Sequence, residues 1–187
     1  WAVGTKKSEG IFGRFFKEGT YFILKTTNGG KSWFVQKKQS KSIFNFFGPV
    51  DGLNDVFFIN KNIGWAVGLN RTILKTEDGG IHWFEQTIEK NNDFNFILSR
   101  KKNAYKFISK YAMTYSNFHS VSFIDSLNGL IVGLDGEVFK TTNGGIKWYP
   151  LNSGTLKSFN DLFIMPNRKV LIVGDGGVIQ KYELKNF

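Results

Sequence analysis

The chain has 187 residues, 41% of them hydrophobic, and a formal net charge of +10, so it is long enough to bury a sizeable core. It has no cysteine, which excludes disulfides and thiolate metal sites. It also lacks the run of about 18 apolar residues that a membrane-spanning helix needs.

Taken in chain order, the residues fall into recurring short runs. The chain opens on Trp1-Ala2-Val3-Gly4, a β-rich run closed by glycine. A basic, aromatic stretch follows, including Gly10-Ile11-Phe12-Gly13-Arg14-Phe15-Phe16. Ile23-Leu24-Lys25 then leads into Thr26-Thr27-Asn28-Gly29-Gly30-Lys31-Ser32-Trp33. After a second basic stretch comes a complete unit: Leu53-Asn54-Asp55-Val56-Phe57-Phe58, Trp65-Ala66-Val67-Gly68, Ile73-Leu74-Lys75, and Thr76-Glu77-Asp78-Gly79-Gly80-Ile81-His82-Trp83. A third stretch separates this from Phe118-His119-Ser120-Val121-Ser122-Phe123, Leu130-Ile131-Val132-Gly133, Val138-Phe139-Lys140, and Thr141-Thr142-Asn143-Gly144-Gly145-Ile146-Lys147-Trp148. The last unit has Phe159-Asn160-Asp161-Leu162-Phe163-Ile164, Leu171-Ile172-Val173-Gly174 and a strand within residues 177–184, with no further box.

The spacing holds register. Gly68 to Trp83 and Gly133 to Trp148 are each 15 positions, and Gly133 to Gly174 is 41. Runs rich in β-branched and aromatic residues, parted by Gly, Asn and Asp, read as strands. Four strands in about 40–45 residues is the size of a β-propeller blade. The expected fold is all-β: four-stranded antiparallel blades in a partial ring of about four, with residues 1–187 as one domain. Blade segments are expected at about 1–36, 53–86, 118–150 and 159–184, and insertions at about 5–20, 36–52 and 86–118. Strand four is placed at the box Trp. The first unit begins at strand two and the last ends after strand three, giving 14 strands, which is not a multiple of four. That count predicts a piece of a larger propeller.

The boxes read as structural turns. Asn28, Asp78 and Asn143 suit an Asx turn, with the side chain bonding backbone two residues on. The glycine pairs ending at Gly30, Gly80 and Gly145 supply positive φ. Trp33, Trp83 and Trp148 are expected to bury their rings between blades with their N–H groups satisfied locally. His82 holds a variable box position and reads as a solvated turn residue.

Thr-x-Asp/Asn-Gly-Gly-x-x-Trp resembles the Asp-box, or bacterial-neuraminidase repeat. With Gly64-Trp65-Ala66-Val67-Gly68 ahead of it, the pattern is similar to the photosystem II stability/assembly factor-like propeller repeats. The resemblance covers the chain except its insertions. It implies a non-catalytic propeller and an exported setting: thylakoid-lumen-like, periplasmic or at the cell surface. Asp-boxes also decorate sialidases and other glycosidases.

Charge singles out the insertions. Residues 5–20 carry four basic and two acidic groups, residues 36–52 three and one, and residues 86–118 six and two, which is eight of the ten net positive charges. The first insertion joins strands two and three. The others join strand four to the next strand one. Strand alternation puts all three on one face, and loops on a rigid scaffold are where binding residues concentrate. Partner-binding candidates are Lys37, Lys38, Phe46, Phe47, Arg100, Lys101, Lys102 and Lys106. Asp93 would cap a helix whose apolar stripe includes Phe94, Ile97, Leu98 and Tyr105. That helix either packs on the propeller, its lysines merely solvated, or docks an acidic partner. Phe46 and Phe47 either form an exposed interface patch or fold back over the channel.

A protein partner with an acidic surface is the favoured reading. Carbohydrate is the alternative, with Asp55 and Asp161 as an acid–base pair, but their matching place in the repeat points to strand capping. Single-stranded nucleic acid ranks below both, because the bias toward lysine, asparagine and phenylalanine runs through the whole chain. Only Arg14, Arg71, Arg100 and Arg168 are present, none on a strand-one segment, which disfavours a sialidase grip on a carboxylate. No catalytic residue, metal site or cofactor is expected.

Overall fold

The computed structural model describes residues 1–7, 19–41, 52–88 and 116–183. Blade one comprises β1 (Ala2–Lys7), β2 (Gly19–Lys25) and β3 (Phe34–Lys41). Blade two comprises β4 (Leu53–Phe58), β5 (Gly64–Gly68), β6 (Ile73–Thr76) and β7 (Phe84–Glu85). A two-residue strand, β8 (Thr87–Ile88), follows. Blade three comprises β9 (Phe118–Phe123), β10 (Gly129–Gly133), β11 (Val138–Thr141) and β12 (Lys147–Leu151). Blade four comprises β13 (Phe159–Ile164), β14 (Lys169–Gly174) and β15 (Ile179–Glu183). Within each blade the strands pair antiparallel in chain order, and no α-helix is present among the described residues.

β8 is the departure from the expected count. The described residues hold 15 strands rather than 14, because β7 stops after two residues and the chain crosses to the next blade. There β8 pairs parallel with β12, Thr87 opposite Lys147 and Ile88 opposite Trp148, and blade three gains a fifth strand. An outer blade strand has an unpaired row of backbone groups, and β8 covers part of that edge. Strand four also begins one residue past the box Trp in blades one and two, and one before it in blade three.

Apolar packing lies between blades. Tyr21 and Ile23 of blade one meet Leu53, Ala66, Leu74 and Trp83 of blade two. Trp65, Val67 and Ile73 of blade two meet Phe118, Val121, Ile131 and Phe139 of blade three. Leu130, Val132 and Val138 of blade three meet Phe159, Leu162, Val170 and Ile172 of blade four. β5 and β10 are buried along their whole length, since a neighbouring blade covers each face. This is why they read as unbroken apolar runs rather than alternating ones.

The glycine closing strand two has a steric cause. A Cβ on Gly68 would lie 1.8 Å from the Gly52 carbonyl oxygen, and one on Gly174 would lie 2.0 Å from that of Ser158. The backbone entering strand one passes directly over this position, and no side chain fits there.

Candidate partner face and the box turns

The two faces of the disc are separated by their turns. Gly79 N donates to Asn62 O and Gly144 N to Leu127 O, both at 2.8 Å, so each box sits beside the strand-one-to-two turn of its own blade. On the opposite face, Leu69 N donates to Gly52 O at 2.8 Å and Arg71 N to Ser116 O at 2.9 Å. Gly52 and Ser116 are the residues at which the described backbone resumes near the ends of the second and third insertions. Their backbones return onto the strand-two-to-three turn, the same kind of connection that the first insertion makes between β1 and β2. The described ends of the insertions therefore share the face opposite the boxes.

Each box is built by a threonine that the sequence reading passed over. Thr141 Oγ1 accepts from Gly145 N at 2.9 Å and donates to Asn143 Oδ1 at 3.0 Å. Thr26 and Thr76 do the same in their boxes. The asparagine or aspartate bonds to backbone four residues on rather than two: Ser32 N to Asn28 at 2.9 Å, His82 N to Asp78 at 2.9 Å, and Lys147 N to Asn143 at 3.0 Å. The glycine pair forces this longer reach. Both glycines have positive φ, 68° and 88° in the first box, and they wrap the loop around the threonine hydroxyl. The recurrence of Thr at the head of every box was the available signal.

His82 is exposed, as its variable position suggests, and its Nδ1 lies 2.7 Å from Asp78 Oδ2. The His82 backbone N–H, joined by its ring and the Thr76 hydroxyl, holds the Asp78 carboxyl at about 2. The charged box turn is supported above the ordinary carboxylate range and loses that support only as pH falls through about 2.

The box tryptophans are less uniform than expected. Trp83 donates to Gly80 O at 3.1 Å. The Trp148 indole N–H is buried with no acceptor among the described residues. Trp33 is 45% exposed, against 8% for Trp83 and 0% for Trp148. Thr141→Val is expected to cost about 1–2 kcal/mol in chemical denaturation, because it strips the acceptor from the buried Gly145 N–H. Thr26→Val, in the exposed first box, is expected to cost less.

Near the start of the strand-one segments a polar belt crosses three blades. Asn54 Nδ2 donates to Phe118 O at 2.7 Å, and His119 Nδ1 lies 2.8 Å from Phe159 O. Ser120 Oγ lies 3.0 Å from Asp55 Oδ2 and 2.8 Å from Asp161 Oδ1. Asp55 also accepts from Val56 N and Val121 N, and Asp161 from Leu162 N, all at 2.8 Å. The two carboxylates cap their own strands and tie neighbouring blades together.

Arg71 is likewise committed to structure. It forms a 2.7 Å ion pair with the fully buried Glu137 of the next blade, and the Ser116 hydroxyl donates to the other Glu137 oxygen.

Of the partner-binding candidates, Lys37 is half-buried, with its ammonium 3.5 Å from the Trp83 carbonyl of blade two. Burial pushes its pKa below the ordinary lysine range, an effect that Glu85 opposes. Lys38 lies on β3, though its side chain is outside the described residues. Phe46, Phe47, Arg100, Lys101, Lys102, Lys106 and the expected helix after Asp93 also lie outside them.

A family model described as photosynthesis system II assembly factor YCF48 matches residues 49–105. The chain is also similar to a solved structure of YCF48 bound to a D1 peptide, at 26% identity and a TM-score of 0.50, covering 69% of this chain and 35% of that one. The chain is a β-propeller similar in these residues to photosystem II assembly factor YCF48. A structure of YCF48 from Cyanidioschyzon merolae agrees in fold, with a TM-score of 0.59 over 98% of this chain and 52% of that one, at 12% identity. The chain spans 35% and 52% of the lengths of these two assembly-factor structures. No curated protein sequence matches it.

Proposed function

We propose that this propeller is a non-enzymatic scaffold of the photosystem II assembly or stability type. It docks a protein partner with an acidic surface through the face bearing its basic, aromatic insertions. Residues 1–187 act as one domain, exported to a lumen-like or periplasmic compartment. The observation that carries this reading is the 26% identity with the YCF48 structure that holds a D1 peptide. Two features support it. Eight of the ten net positive charges fall in the three insertions, whose described ends share one face. The carboxylates that a glycosidase would need are spent on strand caps and the polar belt.

The test is a titration of a D1 peptide against residues 1–187 at two salt concentrations. Binding is expected to weaken with salt, as steering of an acidic ligand toward a basic face requires. Reversing Arg100, Lys101, Lys102 and Lys106 to glutamate is expected to slow association by about 10–100-fold. Reversing Lys31 and Lys147, on the box face, is expected to change it little. Equal loss from both sets would reduce the effect to unspecific charge attraction. No loss from either would remove the insertions from the interface.

A further inference from the structure

The box face carries apolar side chains that the fold does not use. Ile81 and Ile146 hold the same place in the second and third boxes. They are 68% and 64% exposed, although a neighbouring blade packs against each of those boxes. Leu127 stands on the strand-one-to-two turn beside the third box, where its carbonyl accepts from Gly144 N, and it is 54% exposed. Phe84, at the box-face end of β7, is exposed as well. Among the described residues, the turns of the opposite face carry no exposed large apolar side chain.

The charges of the same face are unevenly placed. Lys31, Lys61, Lys147, Arg168 and Lys169 are exposed on its boxes and turns. Its acidic groups are engaged locally. Asp78 bonds the His82 backbone and ring, Asp125 accepts from the Leu127 and Asn128 amides, and Glu77 pairs with Lys75 at 2.7 Å. The charge turned outward is therefore basic, and the aliphatic tips stand among it.

We propose that the box face docks on an anionic lipid surface. Ile81, Leu127 and Ile146 enter the headgroup boundary, and the surrounding lysines rest on lipid phosphates. The arrangement selects a bilayer over a protein. A protein interface gathers its apolar anchors in one packed centre. Here they stand singly on separate turns, parted by cations. A bilayer interface takes apolar side chains to shallow depth while Lys and Arg stay with the anionic headgroups. Ile81 and Ile146 occupy equivalent turns of adjacent blades, which a planar surface meets together. The proposal is independent of the D1-peptide reading, which concerns the opposite face.

The test exploits the absence of cysteine, since a single introduced one carries a polarity-sensitive fluorophore. Thr142→Cys places it in the third box and Asn152→Cys on the opposite face, both at exposed positions. Residues 1–187 are titrated with phosphatidylcholine vesicles containing about one-third phosphatidylglycerol, and with pure phosphatidylcholine vesicles. A saturable blue shift is expected from the Thr142 site and not from the Asn152 site, with binding about tenfold weaker on the neutral vesicles. Ile81→Ser with Ile146→Ser is expected to weaken binding about tenfold, and Lys61→Gln with Lys147→Gln by a similar factor. All four side chains are exposed, and an unchanged unfolding midpoint certifies folding of both variants. The proposal is overturned by no shift from the Thr142 site, or by a shift from the Asn152 site in its place, which would assign lipid binding to the insertion face. Loss in the lysine variant with full binding in the isoleucine variant would reduce the effect to charge attraction, and would also overturn it. So would burial of the Thr142 probe in concentration-dependent dimers without vesicles, which would make the occupant a second copy.

Discussion

Trp65→Ala is expected to lower the stability of residues 1–187 by about 3–5 kcal/mol, the range for emptying an aromatic site in a core. Trp65 is fully buried, stacks on Phe123 and donates to Gly144 O. The substitution removes packing, a ring stack and a hydrogen bond together, and leaves the third box without its cover. Trp65→Leu restores the residue type found at Leu130 and is expected to recover about half of the loss, leaving the Gly144 carbonyl without its indole donor. Trp33→Ala, at a half-exposed ring, is expected to cost about 1 kcal/mol or less. Denaturant unfolding of the three variants checks the order. A Trp65→Ala effect no larger than that of Trp33→Ala would mean that blade-to-blade packing does not limit stability.

Arg71→Ala is expected to cost about 3–5 kcal/mol, because it leaves the buried Glu137 carboxylate without its cation. The pair joins blade two to blade three on the insertion face, and the Ser116 hydroxyl that also donates to Glu137 carries no compensating charge. Replacing both partners with methionine is expected to cost far less than Arg71→Ala, since apolar side chains of similar volume carry no desolvation penalty. The comparison of single and double variants in urea decides it. If the double variant is as unstable as the single one, the loss arises from packing around Arg71 and not from removal of its charge.

The repeat itself was legible because its signals are local. Turn glycines, β-branched runs and 15-residue spacing act within one blade, and each blade folds by pairing strands adjacent in sequence. The strand-capping role of Asp55 and Asp161 was legible for the same reason: each bonds the next backbone N–H. Thr141 and its counterparts were also visible in the pattern, but their role depends on how a glycine pair bends the loop around a hydroxyl.

What the tertiary structure alone decided involves atoms from two blades. Trp65 reaching Gly144, Arg71 reaching Glu137 and Ser120 reaching both Asp55 and Asp161 join residues 41 to 79 positions apart, beyond the reach of any local pattern. The crossing of β8 onto β12 depends on a free edge that exists only once blade three is in place. The exposure of Trp33 follows the same rule. Its box makes the same threonine and glycine turn bonds as the other two, and among the described residues only Trp83 and Trp148 have a neighbouring blade against them.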